Sequence, residues 1–60
     1  MTRYIAEYKM TKRWKFISDH GDKDIAIINA EVFTKSRGKI TRVRYGKEII
    51  SVINPEIKEN

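Results

Sequence analysis

The sequence predicts a small all-β domain, and two observations support this prediction. Apolar and polar residues alternate with a period of two along much of the chain, which is typical of half-buried strands. Turn signals rich in Gly, Asp, Asn and Pro separate these runs at regular intervals. We therefore expect a five-stranded antiparallel meander, either open or curled into a small SH3-like or OB-like barrel.

The first two predicted strands form a hairpin. Residues 3–10 alternate between apolar and polar, and after a break at Thr11 and Lys12 residues 13–18 alternate again. Trp14 and Phe16 share one face of the second strand. Large aromatic side chains in a chain this small usually belong to the core, so we expect both there, as we do the three tyrosines, with stacking on nucleic-acid bases as the alternative.

Residues 23–34 fit two structures. They are rich in Ile, Val and Phe, which pack well on a pleated surface, and this composition favours a third strand. The alternative is an α+β fold in which two hairpins pack on one helix at residues 23–35, because apolar residues also recur at helical spacing. The residues that would form this helix are Ile25, Ile28 and Val32, with Asp22 and Gly38 as its caps.

The last two predicted strands form a second hairpin. Residues 39–45 and 48–53 flank Gly46-Lys47, a pair that suits a type II′ turn because glycine occupies the first central position. Asn54-Pro55 ends the last strand, since proline has no amide proton to donate to a sheet.

The length of 60 residues predicts one small domain at residues 1–55, followed by a short C-terminal tail at 56–60. A core of this size is marginal, and the chain has no cysteine with which to staple it. The runs at residues 25–28 and 49–53 are apolar on both faces of a strand, which calls for a cover on both sides. A homodimer through an edge strand is one way to provide this cover, and we take it as a hypothesis.

Several classes of function are disfavoured. The lone His20 has no partner pattern for general base catalysis, and we expect neither an enzyme nor a cofactor. The turn at 19–24 does not match a calcium loop, because Ala30 stands where the closing glutamate belongs, so we expect no metal. The absence of cysteine, of a signal peptide and of an apolar span leads us to expect a cytoplasmic protein that does not enter a membrane.

The positive charge is unevenly distributed. Thirteen Lys and Arg against eight Asp and Glu give a net charge of +5, and the cations form two stretches without acids. The first contains Lys9, Lys12, Arg13 and Lys15, and the second contains Lys35, Arg37, Lys39, Arg42, Arg44 and Lys47. In a meander, the turns at 11–12 and 36–38 lie at one end of the sheet and the acidic turn at 19–24 at the other. We expect one basic and one acidic end.

Arg42 and Arg44 are two residues apart, so both project from the same face of one strand, and we expect Lys15 to point outward in the same sense. Guanidinium groups bind phosphate oxygens in a bidentate way, and the pair is a candidate phosphate clamp, although a solvated face that only keeps the domain soluble has the same pattern. The candidate nucleic-acid-binding residues are Lys12, Arg13, Trp14, Lys15, Lys35, Arg37, Lys39, Arg42 and Arg44.

These features favour a small regulatory module that binds the phosphate backbone of DNA or RNA through a basic surface. The first alternative is a modulator or inhibitor that docks on an acidic protein surface and uses its edge strands to extend the sheet of its partner. The second is an oligomer that binds a phosphorylated small ligand such as a nucleotide. The charge pattern is compatible with all three.

Overall fold

The computed structural model describes residues 3–55, which form a four-stranded antiparallel sheet with one helix packed on it. The elements are β1 (Tyr4–Lys9), β2 (Trp14–His20), α1 (Lys23–Arg37), β3 (Thr41–Tyr45) and β4 (Glu48–Ile53). The strand order is β2-β1-β3-β4, so the two hairpins meet along β1 and β3. The expected β-rich fold is confirmed, but the five strands and the barrel are wrong. The tail expected at 56–60 lies outside the described residues.

The strand predicted at residues 23–34 is a helix, as in the α+β alternative. The carboxylate of Asp22 accepts hydrogen bonds from the backbone amides of Asp24 and Ile25 and caps the first turn. At the other end, Gly38 has a φ of 67° and donates its amide proton to the carbonyl of Thr34 at 2.8 Å. Backbone groups at both ends of the helix thus find hydrogen-bond partners close by in the chain. The stabilisation from these caps offsets the modest helix-propensity cost of the β-branched residues.

The core is small because small residues form its centre. Ala6 and Val43 pair across β1 and β3, and both pack against Ala26 and Ala30 on the inner face of the helix. Alanine at these helix positions lets the helix lie close to the sheet. The larger side chains packed around this centre are only partly buried, and they are Tyr4, Ile17, Ile27, Ile50 and Ile53.

Two buried threonines connect the helix to β3. The hydroxyl groups of Thr34 and Thr41 lie 2.6 Å apart, and Thr41 also donates to the carbonyl of Ala30 at 3.2 Å. A buried hydroxyl is costly unless it is hydrogen-bonded, and here each one has a partner. The pair therefore fixes the helix relative to β3.

Each edge strand contains a register shift of one residue. In β2 the shift lies at Ile17, opposite the step from Ala6 to Glu7, and in β4 it lies at Ile50, opposite the step from Val43 to Arg44. The hairpin of β3 and β4 turns in two residues at Gly46-Lys47, as predicted, with a φ of 66° at Gly46. In residues 3–55 no helix has the length and apolar character that crossing a membrane requires.

Candidate functional site on the open face of the sheet

The helix covers one face of the sheet, and the described residues leave the other face uncovered. We call the uncovered side the open face. Cross-strand partners in an antiparallel sheet point to the same side, so the register defines which residues lie there. One row crosses all four strands and consists of Phe16, Glu7, Arg42 and Val52. A neighbouring row consists of Asp19, Ile5, Arg44 and Ile49, and a third contains Trp14 and Lys9.

An ionic cluster occupies the centre of the open face. One carboxylate oxygen of Glu7, Oε1, lies 2.9 Å from Nε of Arg42 and 3.1 Å from Nε of Arg44. The Glu7 side chain is only 10% exposed. Burial by itself raises the pKa of this carboxyl, but hydrogen bonds and charge attraction from Arg44 and Arg42 outweigh it, so its pKa lies below the ordinary value.

The cluster changes what the two arginines can do. As predicted, Arg42 and Arg44 project from the same face of β3, yet they share one carboxylate. Their combined charge is therefore half-neutralised before any ligand arrives. Glu7 instead fixes the position of both guanidinium groups on the sheet, so they form an oriented platform with a weaker net charge than two free arginines.

Two aromatic rings lie beside this cluster. The guanidinium carbon of Arg42 lies 4.2 Å from the centre of the Trp14 ring, and Nζ of Lys9 lies 5.4 Å from it. Phe16, two residues further along β2, is 61% exposed. The expectation that Phe16 belongs to the core is therefore wrong, because it lies on the side of an edge strand that faces away from the helix. Trp14 is half-buried.

The cations of the two turns lie at one end of the sheet. The amide of Lys9 donates to the carbonyl of Ile40 at 2.8 Å, which joins the end of β1 to the segment before β3. The turn after β1 is closed by the amide of Met10, which donates to the carbonyl of Arg13. These two segments and the last turn of the helix lie together, and we call this region the basic end. It carries Lys12, Arg13, Lys35, Arg37 and Lys39. All five are exposed.

The acidic turn lies at the opposite end. Tyr4 at the start of β1 pairs with His20 on one side and with Tyr45 on the other, so residues 20–22 and the turn at 46–47 share that end. Asp19 pairs there with Arg3 at 3.5 Å, and His20 Nε2 lies 2.9 Å from the hydroxyl of Ser18. Within residues 3–55 no group of three His, Asp or Glu side chains is arranged to hold a metal ion.

Lys15 and Arg37 do not join Arg42 and Arg44. Lys15 pairs with Tyr8, whose ring packs on Phe33 of the helix at a centroid distance of 4.7 Å. Lys15 therefore lies on the helix side of the sheet, and the expectation that it points the same way as Arg42 and Arg44 is wrong. Arg37 lies over the same Phe33 ring, 5.3 Å from its centre.

Sequence reasoning did not assign a site role to Glu7, Lys9 or Val52. The contacts of Glu7 depend on which strand lies next to β1, and alternation within one strand gives no information about this neighbour. A groove of about 800 Å³ lies between the end of the helix and the end of β4. Lys35 is the one cation among the described residues that line it, so it offers little to a phosphate group.

The open face thus combines the exposed ring of Phe16, the half-buried ring of Trp14 with two cations over it, and a buried carboxylate that orients two arginines. Comparison of the chain with protein-family models, with curated proteins and with solved structures finds no match.

Proposed function

We propose that this protein binds single-stranded nucleic acid on the open face and catalyses no reaction. The observation that supports this proposal most directly is the exposed Phe16 ring on the same face as Trp14. The guanidinium carbon of Arg42 and Nζ of Lys9 lie 4.2 and 5.4 Å from the centre of the Trp14 ring. Unpaired bases stack on aromatic side chains of a sheet, while nearby Lys and Arg bind the phosphates. A regulatory role in the cytoplasm belongs to the same proposal.

The charges indicate which residues contact the bases and which contact the phosphates. Bases stack on Phe16 and Trp14, and Arg42 adds a guanidinium plane that Glu7 holds in position. Because Glu7 half-neutralises the arginines of the cluster, the phosphates are bound mainly by cations at and near the basic end. These are Lys9, Lys12, Arg13 and Lys39.

The size of the open face favours a short single strand. Four strands spaced by about 4.8 Å, with a rise of about 3.3 Å per residue, make a surface of roughly 15 by 17 Å. This area accommodates two or three stacked bases. Duplex recognition has less support, since paired bases do not present their faces to aromatic rings.

Direct binding to short labelled oligonucleotides tests the proposal. The chain has a single tryptophan, so quenching of its fluorescence reports contact at Trp14 alone. If four phosphates are neutralised, the logarithm of the affinity falls with the logarithm of the salt concentration with a slope of about −3. Binding that is insensitive to salt, or that leaves Trp14 fluorescence unchanged, contradicts the proposal.

Phe16→Ala removes one stacking platform. We expect a loss of affinity of about 5- to 100-fold, the range that corresponds to one stacked base. Val52→Ala is the matched control, because Val52 is exposed in the same row but lies on the opposite edge strand. Equal losses in both variants would contradict stacking on Phe16 and point to unspecific apolar contact along the row.

Lys12→Glu/Arg13→Glu tests the basic end. Each substitution removes two units of charge, so the double variant lowers the net charge from +5 to +1. We expect weaker binding and a salt slope reduced to about −1.5, because two phosphate contacts are lost. Lys23→Glu/Lys47→Glu makes the same change of charge at the other end of the sheet. If both double variants lose affinity equally, net charge and not the basic end controls binding.

Docking of an acidic protein is the second candidate, and one observation favours it. Ile49 and Val52 are 44% and 53% exposed on the open face, and they add an apolar rim that nucleic acid does not need. Ile49→Ser/Val52→Ser removes the apolar rim without changing the charge, and this separates the two functions. A partner that is retained after nuclease treatment and lost in this variant supports docking, whereas unchanged oligonucleotide binding supports the first proposal.

A further inference from the structure

The outer face of the helix carries an apolar stripe that the fold does not use. Ile25, Ile28 and Val32 are 49%, 55% and 58% exposed, although their neighbours Ala26 and Ala30 are fully buried. At 3.6 residues per turn, the three side chains lie within an arc of about 60°. The helix is therefore apolar on two sides, and only the inner one is covered by the sheet.

We infer that this stripe, formed by Ile25, Ile28 and Val32, binds the same stripe of a second copy in an antiparallel helix pair. The helix has 15 residues and is about 22 Å long, which allows the three side chains of each copy to interdigitate. The small core gives a further reason. Within residues 3–55 the fully buried apolar centre consists of Ala6, Ala26, Ala30 and Val43, and so small a core benefits from additional apolar burial.

The charges beside the stripe favour the antiparallel arrangement. Asp24 in the first turn and Lys35 in the last turn are both exposed and lie on the same flank of the stripe. In an antiparallel pair with Ile28 near the two-fold axis, Ile25 of each copy packs on Val32 of the other. Asp24 of each copy then lies within one turn of Lys35 of the other, so two ion pairs form across the interface.

A parallel pair has the opposite property. Its two-fold axis runs along the helices, so the two copies of Asp24 lie at one end of the interface and the two copies of Lys35 at the other. No Asp24–Lys35 pair then forms across the interface, and the two helix dipoles align unfavourably. The antiparallel pair also leaves the sheets on the outside. Both open faces then point away from the interface, and the dimer presents two copies of the candidate nucleic-acid site.

Sedimentation equilibrium tests whether the dimer exists. We expect the apparent mass to rise from 7.1 kDa towards twice that value between about 1 µM and 1 mM, the range in which a small interface associates. Ile28→Glu is expected to stay at 7.1 kDa throughout. Val52→Glu, which makes the same change on an exposed residue of the open face, is expected to dimerise like the unmodified chain, and circular dichroism verifies that both variants are folded.

Two results overturn the inference. One is a monomer at every concentration. The other is a dimer that persists in Ile28→Glu, since an edge strand or the open face would then form the interface.

A charge exchange tests the antiparallel direction. Asp24→Lys and Lys35→Asp are each expected to weaken the dimer by about threefold or more, because each places like charges across the interface. The double variant Asp24→Lys/Lys35→Asp is expected to regain part of the lost affinity, since the pairs form again with reversed sign. Additive losses in the double variant contradict the antiparallel pairing.

Discussion

The carboxylate of Glu7 has two guanidinium groups within 3.1 Å and little contact with solvent. A partly buried acid of this kind stabilises the fold only while its partners remain, since removal of one partner leaves a charge that is neither paired nor well solvated. The position of Arg42 over Trp14 also depends on this contact. Glu7 therefore links stability to the shape of the open face.

Glu7→Gln is expected to lower the free energy of unfolding by about 1–3 kcal/mol. This is less than for a fully buried pair, because both arginines are partly solvated. The melting temperature of a domain this small should fall by about 4–8 °C for each kcal/mol. Asp19→Asn is the control, because its ion pair with Arg3 is longer and about half exposed, and we expect almost no change there.

Stability should also depend on pH through Glu7. Its pKa is lower in the folded protein than in the unfolded chain, so its contribution is present above the unfolded pKa of about 4.3 and is lost as the pH falls through the folded value. Urea unfolding between pH 6 and pH 3 measures this loss. The Glu7→Gln variant should lack this component, and an identical pH profile in both proteins contradicts the assignment.

At the residue scale, the sequence identified the cations and the aromatic residues but not their neighbours. The spacing of Arg42 and Arg44 correctly placed them on one face. Their neutralisation by Glu7 could not be predicted, because Glu7 is 35 residues away from Arg42 along the chain. The exposure of Phe16 was missed for a related reason, since alternation does not reveal which face the helix covers.

At the scale of elements, the helix depends on its two caps. Asp22→Ala is expected to lower the free energy of unfolding by about 1 kcal/mol, because the carboxylate accepts two amide protons that would otherwise lack a protein partner. Asp22→Asn is the matched control and should cost little, since asparagine is an equally good cap. Chemical denaturation of the three proteins measures the difference, and equal stability of all three would show that the cap contributes nothing.

The helix is also where prediction from sequence was least successful. Ile25, Ile28 and Val32 were correctly read as a helical pattern in the alternative, but a helix with such a stripe is expected to turn it towards the sheet. The structure has the reverse arrangement, with Ala26 and Ala30 inside and Ile25, Ile28 and Val32 outside. Both hairpins were predicted, because two-residue periodicity and the glycine at position 46 are local signals that need no knowledge of the rest of the fold.

At the scale of the whole molecule, the distribution of charge is insensitive to the error at residues 23–34. A helix crosses the sheet from the acidic end to the basic end, as a third strand would have done, so the following strand starts at the same place. Only the neighbours of each strand changed. The order of the turns predicts the end of the sheet at which a residue lies, but not the face to which its side chain points. Lys15 is an example, because its face depends on the register of β2 with β1.

The exposed apolar surface of the whole molecule leads to one further prediction. If the helix stripes associate, folding and assembly are linked, and the melting temperature should rise with protein concentration. We expect this rise in the unmodified chain and not in Ile28→Glu. Differential scanning calorimetry over a hundredfold range of concentration measures it, and a melting temperature independent of concentration contradicts the link.

The strand order has a consequence for synthesis of the chain. β1 is made before the other three strands, yet it lies in the interior of the sheet, between β2 and β3. Its pairing with β2 can form early, but its other edge stays unpaired until residues 41–45 have been made. The sheet therefore cannot be completed before β3 has been made, and the nascent chain exposes the edge of β1 until its second hairpin emerges.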